Sequence, residues 1–250
     1  PMNVVGQAGL DLLKGAGCEI VEPPRQGFLN EHELLEILPG IDAALAGVDK
    51  YNAAVLSSSP AGSLKIVSRW GVGYDAIDIP KATELGIVVA NTPGLLDEAV
   101  ADCAFALLFA LARRIHEGHD LMRRGEWRMV WGTDIAGKTL GILGCGRIGQ
   151  AVARRAAGFN LRLLGHDIAP HPAAEKLGVQ FVPLDELLAQ SDFLTLHAAL
   201  TPQNRGLIGE AQLRRLKPGA LLINTARGAL VDEAALVRAL HEGWLAGAAL

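Results

Sequence analysis

The stretch Leu140–Gln150, LGILGCGRIGQ, spaces Gly144, Gly146 and Gly149 as G-x-G-x-x-G. Glycine is common in this chain, 29 of 250 residues, so the spacing decides little without its surroundings. An apolar run, KTLGILG, precedes the glycines, and a helical pattern, RIGQAVARRAA, follows them. A second apolar run, LRLLGHD, ends on Asp167, 18 residues beyond Gly149. Strand, tight turn, helix and a second strand closing on an acid make the βαβ unit that cradles a dinucleotide. Gly144 lets the chain turn off the strand, Gly146 leaves the backbone bare for a pyrophosphate, and Gly149 lets helix and sheet pack closely. The helix N-terminus turns unpaired N–H groups and a partial positive charge toward the phosphates. Asp167 accepts hydrogen bonds from the ribose hydroxyls and repels a 2′-phosphate, which favours NAD over NADP.

Outward from this unit, apolar β-rich runs alternate with helical patterns. On the N-terminal side, strands are expected at Gly17–Glu22, Ile41–Gly47, Leu64–Gly71 and Gly86–Gly94. Helices are expected at Glu31–Leu38 and in KYNAAVLSSSP, closed by Pro60. One long helix, with a break near Gly118, is expected from Asp97 to about Arg124. The polar stretch RRGEWRMVWGTDIAGK follows as the candidate domain junction. The rhythm then restarts, with strands at Thr139–Leu143, Leu161–His166, Val179–Val182, Phe193–His197 and Leu221–Asn224. Helices fill the gaps at Arg147–Ala157, Leu184–Gln190, Glu210–Leu216 and Glu233–Glu242. Such alternation means α/β architecture with parallel sheets covered by helices on both faces.

Composition narrows the function classes. Half of the residues are hydrophobic and 20% are charged, enough apolar surface for a substantial core. The net charge is −4 with no basic run, which argues against a nucleic-acid surface. Cys18, Cys103 and Cys145 form no C-x-x-C pair, so neither a metal site nor a disulfide framework is indicated, and a reducing cytoplasm is the natural setting. The longest apolar run, AVADCAFALLFALA, contains Asp102 and is shorter than the ~20 residues of a membrane span, so it reads as a buried helix. The chain opens on Pro1 ahead of Met2 and stops in AGAAL, which leads us to expect a longer natural polypeptide.

Six motifs in order, RWGVGYDAID, VANTPG, GKTLGILGCGRIG, LLGHD, LHAALTPQNRGLIG and LKPGALLINTARGALVDEAAL, cover nearly the whole chain. In these the sequence resembles the D-isomer-specific 2-hydroxyacid dehydrogenases, phosphoglycerate dehydrogenase among them. The resemblance implies two doubly wound parallel-sheet domains, a Rossmann NAD-binding domain inserted into a flavodoxin-like substrate domain. Residues 1–93 would be the N-terminal part of the substrate domain, whose C-terminal part lies past residue 250. Residues 94–250 would be the NAD-binding domain with its long linking helix.

The resemblance also assigns residues. Arg227, in NTARG, maps to the catalytic Arg; at the end of an apolar strand its guanidinium can fork onto a carboxylate and polarise a neighbouring carbonyl. Val72 and Gly73 map to the loop whose amides hold the substrate carboxylate. Arg69 maps to a place where phosphoglycerate dehydrogenases carry a phosphate-contacting Arg, although a surface ion pair explains it equally well. Arg147 and Ile148 would lie over the pyrophosphate. His197, Ala198 and Pro202 belong to the loop under the adenosine and ribose, and Thr225 and Ala226 approach the nicotinamide. His197 therefore belongs to the nucleotide loop rather than serving as the acid, and His116, His119 and His241 sit on helical patterns as solvated residues. The family's Glu and His follow the strand in which this chain stops at Leu250, so both are expected beyond it.

The expected function is hydride transfer between NAD and C2 of a small D-2-hydroxy or 2-oxo acid, in a homodimer. Arg69 tips the expectation toward 3-phosphoglycerate, with glyoxylate, hydroxypyruvate or D-lactate as the alternative. A corepressor-like NAD sensor is a different class, against which the intact Arg227 and GVGYD loop argue. A formate or phosphite enzyme of the same architecture would carry substrate loops absent from this sequence.

Overall fold

The structure is a computed structural model describing residues 7–23, 25, 27–59 and 63–250. Pro1, Met2 and Pro60 lie outside the described residues. The chain forms two compact units, Pro1–Gly94 and Leu95–Leu250.

The first unit contains α1 (Gln7–Gly15), α2 (Glu31–Ile37), β1 (Ala43–Ala46), α3 (Ala53–Ser57), β2 (Ile66–Arg69), α4 (Ile79–Glu84) and β3 (Val88–Ala90). Its strands are parallel in the order β1-β2-β3, with Ala44 opposite Val67 and Val67 opposite Val89. Asn30, Asn52 and Asp78 start α2, α3 and α4 by accepting the otherwise unpaired N–H groups of Glu33, Val55 and Lys81. Leu34, Val55, Leu56 and Val67 are fully buried between helices and sheet. The strand expected at Gly17–Glu22 does not form. Cys18–Val21 line a cavity of about 870 Å³ together with Ala43–Leu45 of the edge strand β1, and do not pair with it.

The second unit begins with α5 (Asp97–Ala112) and α6 (Ile115–Arg123). The expected single helix is broken, but at Arg113–Arg114 rather than near Gly118, which lies within α6. Arg114 is left-handed at φ 51°, and Thr133 N–H closes the end of α5 on Ala112 O. That bond and the Arg113–Asp134 ion pair at 2.9 Å fasten the polar stretch to α5, so it lies inside this unit and is not a junction between units.

The unit continues with β4 (Thr139–Leu143), α7 (Arg147–Ala156), β5 (Arg162–His166), α8 (Pro172–Glu175), β6 (Gln180–Phe181), α9 (Leu184–Gln190), β7 (Phe193–Leu196), α10 (Glu210–Leu213), β8 (Leu221–Asn224), α11 (Glu233–His241) and β9 (Gly247–Ala249). The six strands are parallel in the order β6-β5-β4-β7-β8-β9. This is the doubly wound order, and it reverses between β4 and β7, where such sheets bind ligands beyond the carboxyl ends of the strands. Every residue of β4, β7 and β8 is buried, which is why these strands read as unbroken apolar runs. Leu140, Ile142, Phe193 and Ile223 pack with Phe105 and Leu108 of α5 and Val152 of α7. The alternate residues Leu143, Leu194, Leu196 and Leu222 pack with Leu187, Leu213 and Leu236 on the other face. Among the described residues no helix is long and apolar enough to cross a membrane, and no His, Cys, Asp and Glu cluster could hold a metal ion.

Candidate functional site

The glycine turn joins β4 to α7 at the point of reversal. Gly144 has φ +91°, and a Cβ there would lie 2.4 Å from the backbone nitrogen of Ala198, so only glycine lets β4 turn against the chain leaving β7. A Cβ on Gly149 would meet Gly144 O at 2.2 Å, which fixes the helix against the turn. Gly146 differs from both. Its backbone is extended, at φ −67° and ψ −157°, and a Cβ there would meet no atom within 4 Å. Packing does not require glycine at this position, and the space above it is open.

Gly146 is the N-cap of α7, and no side chain caps the helix. Its first backbone bond runs from Gln150 N–H to Gly146 O at 2.9 Å. The amides of Arg147, Ile148 and Gly149 therefore have no intrahelical acceptor, and together with the helix dipole they form an anion site. Arg147 is turned onto Asp97, with Nε 2.8 Å from Oδ2 and most of the side chain exposed. Ile148 is half-buried. Two side chains hold the turn from behind: Gln150 Nε2 donates to Cys145 O at 3.0 Å, and Cys145 N–H donates to Asp167 Oδ2 at 2.7 Å. Burial and the nearby Asp167 carboxylate push the Cys145 thiol up to about 12, so it is an inert part of the packing.

Asp167 directly follows β5 beside this turn and also accepts Ile168 N–H, at 2.7 Å from Oδ1. A carboxylate offers about four lone-pair sites. Two are taken by the backbone, which leaves capacity for a ligand hydroxyl.

His197 and Thr225 follow the paired residues Leu196 and Asn224 at the carboxyl ends of β7 and β8. Each carries a buried polar atom without a partner among the described residues, His197 Nδ1 and Thr225 Oγ1. Such atoms are costly unless a ligand or water completes them. His197 Nε2 lies 2.8 Å from Thr195 Oγ1, and burial pushes the imidazole down to about 4, so it is neutral at pH 7. Ala198 follows against Gly144, whereas Pro202 lies exposed in a loop tied by Asn204, which bonds Thr201 N–H and Ala199 O at 2.7 Å each.

Arg227 leaves β8 three residues after its last residue. Buried Asn224 shapes this exit, with Nδ2 2.8 Å from Arg227 O and Oδ1 3.0 Å from Ala226 N. Arg227 Nη1 donates to Ala226 O at 2.8 Å. The carboxyl edge of one sheet thus carries Gly144, Gly146, Arg147, Ile148, Gly149, Asp167, His197, Ala198, Thr225, Ala226 and Arg227. Sequence reasoning passed over Asn224, Gln150, Thr195 and Asp97. Only Asn224, inside NTARG, had a motif to point to it.

In the first unit Val72 and Gly73 lie half-buried on the loop after β2, and no hydrogen bond among the described residues uses their N–H groups. Arg69 is not a surface-exposed side chain. It is 9% exposed, and it donates to Trp70 O and, at 3.0 Å, to Gly73 O.

Residues 105–250 match the NAD binding domain of the D-isomer specific 2-hydroxyacid dehydrogenases. This chain belongs to that family. Its glycine turn and sheet edge accordingly lie in an NAD-binding domain. Glyoxylate reductase of Korarchaeum cryptofilum (strain OPF8) is 51% identical over 209 residues, which are 81% of this chain and 62% of the relative. The chain thus spans less than two thirds of that relative's length. Among solved structures, the TT0316 protein from Thermus thermophilus is 43% identical with a TM-score of 0.87, covering 96% of this chain and 77% of that one. A glyoxylate reductase from Paecilomyes thermophila is 36% identical with a TM-score of 0.83, covering 97% and 76%.

Proposed function

We propose that this chain belongs to a cytoplasmic enzyme that reduces glyoxylate and similar small 2-oxo acids with NADH. One observation carries the reading: the uncapped N-terminus of α7, open above Gly146, shares the carboxyl edge of one sheet with Arg227. NADH, when bound here, would supply the hydride for C2 of the substrate, and the proton for the carbonyl oxygen would come from the acid His that the resemblance implies. The amides of Arg147, Ile148 and Gly149 bind the pyrophosphate, and Asp167 accepts the adenosine ribose hydroxyls and disfavours a 2′-phosphate. His197, Ala198 and Pro202 flank the adenosine side, and Thr225 and Ala226 border the nicotinamide. Arg227 forks onto the substrate carboxylate and draws charge onto the carbonyl oxygen. Within the first unit, the amides of Val72 and Gly73 are suited to bind a carboxylate. His197 is not the proton donor, because an imidazole held near 4 carries no proton to give at pH 7.

The preference for 3-phosphoglycerate suggested by Arg69 is replaced. Two of the three similar proteins named above are glyoxylate reductases, and the Arg69 guanidinium is engaged within its own loop. The deciding experiment follows NADH oxidation by the full-length protein with glyoxylate, hydroxypyruvate, phosphohydroxypyruvate and pyruvate. Glyoxylate or hydroxypyruvate should give the highest kcat/KM. A clear preference for phosphohydroxypyruvate would restore the phosphorylated substrate, and no turnover despite NADH binding would favour a sensor.

The reading includes a homodimer. The apolar helix α5 buries Ala101, Ala104, Phe105 and Leu108 in its own unit. Among the exposed large apolar side chains, Trp127, Met129 and Trp131 stand at alternate positions just beyond α6. Sedimentation should find twice the chain mass for the wild type and a shift toward monomer for Trp127→Asp/Trp131→Asp. A monomeric wild type would contradict it.

A further inference from the structure

We infer that Arg69 is a positioning residue for the substrate carboxylate: it draws the carbonyls of the Trp70–Gly73 turn inward so that the amides of Val72 and Gly73 are left to the ligand. This rests on the functional reading above.

Every carbonyl of the turn has an inward donor. Trp70 O and Gly73 O take the Arg69 guanidinium, the second at 3.0 Å from Nε. Gly71 O takes Thr92 N–H at 3.1 Å, and Val72 O takes Asn91 Nδ2 at 2.8 Å. The amides divide differently. Trp70 N–H is bonded to Ala46 O at 2.9 Å and Gly71 N–H to Thr92 Oγ1 at 3.0 Å. No described hydrogen bond uses Val72 N–H or Gly73 N–H.

Space for the guanidinium comes from Gly71, whose φ is +140° and whose Cβ, if present, would lie 2.8 Å from Arg69 Nη1. A charged planar donor that reaches both ends of a four-residue turn fixes its shape, and its charge makes the turn attractive to an anion. Lysine, a point donor, cannot span both acceptors in this way. The ligand recognised is the carboxylate common to all 2-oxo acids, not a phosphate.

The experiment measures KM and kcat of the full-length enzyme, wild type and Arg69→Lys, on glyoxylate, hydroxypyruvate and phosphohydroxypyruvate, with NADH affinity measured alongside. KM should rise by about tenfold or more on all three alike, as expected for a lost charged hydrogen bond, with NADH affinity unchanged. A loss confined to phosphohydroxypyruvate would make Arg69 a phosphate reader, and an unchanged KM would remove its positioning role. Should Arg69→Lys fail to fold, Thr92→Val, which unlatches the turn from the other side, must give the same KM-selective rise; an unchanged KM there overturns the inference. A wild type that reduces none of the three overturns the functional reading and this inference with it.

Discussion

Arg227→Lys is expected to lower kcat/KM for glyoxylate by about 10²–10³-fold, the range seen when one preorganised donor to a developing oxyanion is removed. NADH affinity should stay within about twofold, because this removes a group acting on the substrate and not on the cofactor. Lysine keeps the charge but loses the fork that holds a carboxylate and a carbonyl oxygen together. The backbone around the position survives the change, since it is built by Asn224, which bonds both Ala226 N and Arg227 O. A kcat/KM within about threefold of wild type would mean that Arg227 does not act on the substrate.

Gly146→Val should separate binding from folding. The position has ordinary extended dihedrals and open space, so the fold should lose only about 1 kcal/mol, the usual cost of a poor N-cap. Its γ-methyls would fill the space over the amides of Arg147 and Ile148. Overpacking of about 1–3 kcal/mol corresponds to roughly 5–150-fold weaker NADH binding, and the upper end is expected because the pyrophosphate cannot move away from those amides. Gly144→Ala should behave in the opposite way, as a folding defect, since its Cβ would strike the backbone of Ala198. Thermal denaturation beside NADH titration distinguishes the two. A severe folding defect in Gly146→Val would show that the space is needed for packing.

The second unit was more legible in sequence than the first, for physical reasons. Strands buried on both faces leave continuous apolar runs, so Leu221–Asn224 could be read to its ends and Thr139–Leu143 likewise. The glycine spacing reflected contacts that only glycine allows, at Gly144 and Gly149. The short helices Ile79–Glu84 and Pro172–Glu175 went unread, because elements of one turn or so carry no periodicity and depend on caps such as Asp78. Cys18–Val21 looked like a strand because its composition suits one, but composition does not say whether a run will pair with a neighbouring strand, which is not a local property. The break at Arg114 was invisible for a similar reason: a left-handed arginine is held there by the chain around it, while Gly118 offered a misleading local signal. In the site, Arg227 and Asp167 were legible from motifs. The inward role of Arg69 was not, because charge alone does not reveal which way a side chain turns.

The most direct test is a calorimetric titration of NADH into the wild-type protein and Gly146→Val, with NADPH as the comparator. The uncapped turn at α7 and the carboxylate of Asp167 require wild type to bind NADH more tightly than NADPH, and the folded variant to lose NADH binding. Equal NADH affinity in both proteins would contradict the cradle.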